Sequence, residues 1–103
     1  MSYITEVADA IRSEVDPRLV PEGDTASLFR LYAVLALAKG TAVTPEDVHN
    51  AWAAWMSGND PTHASIQPFD ALSPTVQRED APFVDGIRTV AARLTPRDPQ
   101  QIA

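Results

Sequence analysis

The stretch VTPEDVHNAWAAWMSG, residues 43–58, contains the clearest helix in the sequence. The Thr44 side chain can cap a helix start, and Pro45 suits the first turn, where its missing N–H costs nothing. Acidic residues follow beside the positive end of the helix, and Gly58 is where we expect the helix to end. Helical spacing places four residues on its core-facing stripe: Val48, Ala51, Trp52 and Trp55.

Apolar residues at helical spacing predict three more helices, at about residues 2–15, 25–39 and 80–94. Asp80 is expected to cap the last of these, and Ser73 can open a short helical turn before it. No run of alternating β-branched residues indicates a strand. The sequence therefore predicts an all-α fold, a compact domain of about four helices with one irregular loop between the third and last helices.

Domain boundaries follow from the same pattern. Residues 1–94 are predicted to form a single helical domain. The tail, residues 95–103, contains two prolines and little apolar surface to bury, so we expect it to be loose.

The second helix carries more apolar surface than a single core-facing stripe needs. One stripe runs from Leu28 to Ala38, and Phe29, Val34 and Leu37 add apolar surface outside it. A helix that is apolar nearly all round is usually buried or shared with a partner. Phe29, Val34 and Leu37 are therefore the predicted interaction surface, for a protein partner or for self-association as a homodimer.

Composition argues against several function classes. The chain has no cysteine, which excludes disulfides, thiolate metal sites and cysteine catalysis. Its formal charge of −6 disfavours binding to nucleic acid, which needs clustered Lys and Arg. No apolar run approaches the roughly 20 residues of a membrane helix, and no signal peptide is evident. We expect a cytoplasmic protein that binds neither nucleic acid nor membrane.

Motifs for catalysis and cofactor binding are also missing from the sequence. No serine lies in a Gly-x-Ser-x-Gly elbow, and the glycines occur singly, so no phosphate-binding loop is indicated. His49 and His63 lack the spacing typical of zinc sites. We predict that the protein is not an enzyme and binds no metal or cofactor.

Several aromatic and charged residues cluster in the second half of the chain. His49 and Trp52 lie three residues apart on one helix, so they occupy neighbouring faces. In one interpretation His49 bonds a loop carbonyl and both tryptophans belong to the core. In the other, His49 and Trp52 contact a ligand.

Four segments resemble the repeat domain of ryanodine receptors: VHNAW at 48–52, His63, IQPFDAL at 66–72, and Glu79-Asp80 at the start of a helix. The resemblance spans about residues 45–94. The chain departs from it in the stretch after Trp52, which lacks the usual glycines and aromatics.

That resemblance implies a small-ligand binding domain for a nucleotide-like molecule. It implies a pocket lined by His49, Trp52, His63, Phe69 and Arg78.

The whole chain is also similar to a group of small proteins from actinobacteria and their phages. The similar segments include LFRLYAVL at 28–35 and DVHNAWAAWM at 47–56. That similarity implies an actinobacterial or phage source, with location in the host cytoplasm if phage-encoded, and no assigned activity. The leading prediction is a non-enzymatic accessory or interaction protein. The alternative is a small-ligand binding domain.

Overall fold

Residues 2–94, the part of the chain that the computed structural model describes, form four long helices and one short one. The helices are α1 Tyr3–Ser13, α2 Thr25–Lys39, α3 Pro45–Asn59, α4 Pro74–Arg78 and α5 Ala81–Leu94. No strand occurs in this part of the chain, and the all-α prediction is confirmed. The predicted loose tail, residues 95–103, lies outside the described residues.

Side-chain caps explain where most of the helices begin. Ser2, Asp24, Thr44 and Ser73 each accept a hydrogen bond from a backbone N–H in the first turn of the helix that follows. Thr44 forms a reciprocal capping box with Asp47. The four bonds satisfy N–H groups that have no partner inside their helices.

The predicted end of α3 at Gly58 is wrong by one residue. The helix continues to Asn59, whose side-chain amide donates to the Trp55 carbonyl at 2.8 Å. Because this bond satisfies a carbonyl of the last turn, the helix does not need a glycine in a left-handed conformation at its end.

Helix α2 lies at the centre of the fold and packs against α1, α3 and α5. The core-facing positions of these helices are almost fully buried, among them Ile11, Leu28, Val48 and Ile87. Gly86 allows α5 to lie close to the end of α1, because a Cβ there would meet Val15 Cγ2 at 3.2 Å. Close helix packing therefore accounts for this glycine inside a helix.

Phe29 does not belong to the interaction surface that the sequence predicts. Its ring is 2% exposed and packs edge-on against Tyr32, with 5.4 Å between ring centroids. The Arg12 guanidinium lies 5.6 Å from the centre of the same ring. Phe29 belongs to the core because α1 and α5 both close over this side of α2. Val34 and Leu37 are exposed, as that prediction requires.

Candidate functional site

A pocket of about 450 Å³ opens beside α2, α3 and the start of α5. Its buried lining residues are Tyr32, His49 and Phe83. Arg78 and Glu79 are exposed and lie at its mouth. The volume falls in the range of ligand pockets in proteins, which is roughly 300 to 1,000 Å³.

His49 is held by the irregular segment that follows α3. Its Nε2 lies 2.6 Å from the backbone carbonyl oxygen of Gln67. A carbonyl only accepts, so Nε2 carries the proton and donates it. In the neutral ring Nδ1 is then an acceptor, because the hydrogen bond fixes the tautomer. The loop-carbonyl interpretation of His49 and its position in the pocket are therefore compatible.

Two buried side chains place unpartnered polar atoms in this pocket. The Tyr32 hydroxyl and His49 Nδ1 form no hydrogen bond with any described residue, although the two residues are only 1% and 3% exposed. No fully buried side-chain nitrogen or oxygen lacks a partner within residues 2–94. Both atoms must therefore reach open space, and the pocket is the space that both residues line.

The prediction that the Asp80 side chain caps the last helix is wrong. The Asp80 backbone carbonyl accepts from the N–H groups of Phe83 and Val84, whereas its carboxylate bonds none of the described residues. Burial raises the pKa of Asp80 to about 6, the nearby Glu79 charge adds to this, and His49 opposes it. The carboxyl lines the pocket instead of capping α5, and it does so at an electrostatic cost.

Asp80 also affects Tyr32. Burial raises the pKa of the Tyr32 hydroxyl, and the neighbouring Asp80 charge raises it further. The hydroxyl therefore stays protonated at neutral pH, where it can donate or accept a hydrogen bond.

Aromatic rings form one wall of the pocket. The His49 and Trp52 rings are stacked, with 5.7 Å between centroids, and His63 meets Trp52 edge-on at 5.1 Å. His63 Nδ1 accepts from the Ser65 backbone N–H at 3.1 Å, so the proton of the neutral ring is on Nε2. The wall thus offers part of the indole surface and one imidazole N–H.

Four of the five predicted pocket residues line this cavity: His49, Trp52, His63 and Arg78 from the second half of the chain. Phe69 does not line it. Its ring packs 6.1 Å from the His49 ring, and its carbonyl accepts from the Gln77 amide at 2.9 Å. Phe69 supports His49 from outside the pocket, because the Phe69–Ala71 turn packs against α3.

Most lining residues were absent from that prediction, among them Tyr32, Phe83, Arg18 and Asp80. Helical spacing puts both Tyr32 and Phe83 on the core-facing stripes of their helices. The available signal was the hydroxyl of Tyr32 on an otherwise apolar stripe. A polar atom at such a position needs either a partner or an opening.

Within residues 2–94, no three His, Asp or Glu side chains are grouped so that they could hold a metal ion. None of the helices of this region is both long enough and apolar enough to cross a bilayer.

The described residues form a small helical domain with a pocket that has polar atoms on its floor and aromatic rings along one side. The chain belongs to the family described as "Domain of unknown function (DUF7701)", whose model matches residues 2–92. Nothing matches among proteins with curated descriptions, and no solved structure matches either.

Proposed function

We propose that this protein is a non-enzymatic domain that binds a small, flat, nucleotide-like ligand in the pocket. One observation carries the proposal: the Tyr32 hydroxyl and His49 Nδ1 belong to almost fully buried side chains, yet both atoms bond no described residue and are open to the pocket. A few polar atoms aimed into a largely apolar pocket are what orient a ligand in known binding sites. A ligand that bonds these atoms would complete the site.

The aromatic wall supports a planar ligand. Trp52 is half-buried and lines the pocket, so part of its indole surface is open to it. Stacking of a heterocycle on an aromatic side chain contributes about 1–3 kcal/mol. The residues that form this wall, His49, Trp52 and His63, also carry the resemblance to the ryanodine receptor repeat.

An arginine at the mouth supports an anionic group on the ligand. Arg78 lies there with its guanidinium 3.4 Å from the Thr75 hydroxyl, a weak bond. Arg18 is also present, but it is paired with Asp16 at 2.7 Å. Arg78 is therefore the better placed cation for a phosphate.

No serine or threonine hydroxyl of the described residues bonds a histidine nitrogen, and this favours binding over catalysis. His49 Nε2 is occupied by the Gln67 carbonyl, and His63 Nδ1 by the Ser65 backbone. A nucleophile needs a base within hydrogen-bond reach of its own oxygen or sulfur. His63 Nδ1 cannot serve the Ser65 hydroxyl in this way while it accepts from the Ser65 N–H.

A binding assay with a nucleotide panel tests the proposal. Purine and pyrimidine mononucleotides are titrated while tryptophan fluorescence and the thermal midpoint are recorded. We expect at least one to quench fluorescence and raise the midpoint, and the quench to disappear in Trp52→Phe because Trp55 lies in the core. His49→Ala should weaken binding at least tenfold.

The matched control is Leu37→Ala, on an exposed face of α2 outside the pocket. It should bind as the wild type does. If no nucleotide of the panel binds, or if His49→Ala binds unchanged, the proposal is wrong.

The exposed face of α2 favours a second candidate function, self-association with another copy of the chain. Leu31, Val34 and Leu37 lie one turn apart and are 36%, 50% and 45% exposed. Light scattering at high protein concentration tests this. A strict monomer would remove the candidate, whereas a dimer that Val34→Glu dissociates would support it.

A further inference from the structure

The polar atoms inside the pocket are mainly hydrogen-bond acceptors, whereas its mouth carries the Arg78 cation. This difference restricts which ligands the pocket can bind. The inference below rests on the proposed function and narrows the ligand class. His49 Nδ1 is an acceptor in the neutral ring, because Nε2 donates to the Gln67 carbonyl. The Asp80 carboxylate accepts only, and the described residues leave both of its oxygens unbonded. The Tyr32 hydroxyl adapts to either role.

We infer that the ligand's ring presents two neighbouring N–H donors to Asp80, as the N1–H and 2-amino groups of guanine do. A carboxylate accepts two parallel N–H bonds with good geometry. The stacked ring would lie on Trp52, and a phosphate would reach toward Arg78. Guanine nucleotides are the ligand class that can bond Asp80, stack on Trp52 and pair with Arg78.

Adenine fits the same lining poorly. Its hydrogen-bonding edge pairs one donor, the 6-amino group, with an acceptor, N1. That acceptor would face a carboxylate oxygen, which has no proton to give when ionised. Hypoxanthine keeps the N1–H but lacks the 2-amino group, so it offers one of the two donors.

The charged groups around Asp80 favour a ligand that donates hydrogen bonds to the carboxylate over a ligand that only neutralises its charge. Tyr32 faces Asp80 from α2 and His49 from α3, while Arg78 and Glu79 precede it along the chain. Glu79 works against ionisation of Asp80, and no described residue bonds the Asp80 carboxylate. Hydrogen bonds from a ligand would supply the stabilisation that an ionised, half-buried carboxylate lacks.

Calorimetric titration of the full chain with guanosine, inosine and adenosine monophosphates tests the inference. We expect guanosine monophosphate to bind at least tenfold more tightly than adenosine monophosphate, with inosine monophosphate between them. Asp80→Asn should remove most of that preference, because an amide offers only one acceptor. Asp85→Asn, which changes an exposed carboxylate of α5 outside the pocket, should keep it.

The outcomes separate the two proposals. If adenosine monophosphate binds as tightly as guanosine monophosphate, the inference is overturned and the proposed function stands. If none of the three binds and no other nucleotide does, both fall. The thermal midpoint of Asp80→Asn serves as the folding control, and a folded variant that keeps the guanine preference also overturns the inference.

Discussion

Trp52 and Trp55 lie three residues apart on α3, yet their surroundings differ. Trp55 is 7% exposed, and its indole N–H donates to the Asp24 carbonyl at 2.8 Å. Trp52 is half-buried, lines the pocket, and stacks with His49. Around Trp55 the polar atoms are paired within the fold. Beside Trp52 the pocket contains two polar atoms, the Tyr32 hydroxyl and His49 Nδ1, that bond no described residue. The first environment stabilises the fold, and the second is suited to binding.

Alanine substitutions at the two tryptophans should show the largest effects. Trp55→Ala is expected to lower the free energy of unfolding by about 3–5 kcal/mol, because it leaves a cavity and an unbonded Asp24 carbonyl. Trp52→Ala should cost about 1–2 kcal/mol, since part of its ring is open to the pocket already. Urea denaturation measures both values. Equal losses would contradict the distinction between core and pocket.

Asp80→Asn is expected to stabilise the protein without ligand at pH 7. Because burial raises the folded-state pKa from 3.8 to about 6, ionisation costs the folded state free energy. The stabilising effect of the protonated carboxyl is complete below pH 3.8 and is lost as the pH rises through about 6. With its partial exposure discounted, we expect a gain of about 1 kcal/mol.

Denaturation of wild type and Asp80→Asn between pH 4 and pH 7 measures this effect. The advantage of the variant should grow with pH over that window. A variant that is less stable at every pH would mean that Asp80 supports the fold, as a cap would. A gain in stability together with lost ligand binding is the pattern of a functional residue.

Tyr32→Phe should have the smallest effect on folding. The hydroxyl bonds no described residue and is open to the pocket, so its removal should change the free energy of unfolding by less than about 0.5 kcal/mol. A hydroxyl bonded within the fold would cost about 1 kcal/mol or more. Thermal unfolding of the two proteins checks the difference, with Phe29→Leu as a core substitution that should destabilise.

Much of the helical architecture could be predicted from residues that act locally. Thr44, Pro45 and Asp47 mark the start of α3, and Asp24 marks that of α2. These residues bond backbone groups two or three positions away, so their effect does not depend on the rest of the chain. The end of α3 was less predictable, because the Asn59 side chain replaces the expected glycine cap.

The candidate site was predictable only in part. His49, Trp52, His63 and Arg78 are expected from their residue types and from the predicted likeness to a repeat domain, and the structure groups them at one cavity. Phe69 was placed in the pocket by the predicted likeness alone, and Phe29 was placed on the surface by helical spacing. Helical spacing states which residues share a face, but it does not state what covers that face.

The sequence by itself determined that this chain forms helices and where most of them begin, because capping bonds and apolar spacing are local properties. Only the tertiary structure decided which apolar faces close and which stay open. Tyr32 illustrates the division: its place on the α2 stripe follows from spacing, whereas its free hydroxyl depends on how α3 and α5 pack beside it. Packing between distant segments, which no local pattern records, turns one core position into the floor of a pocket.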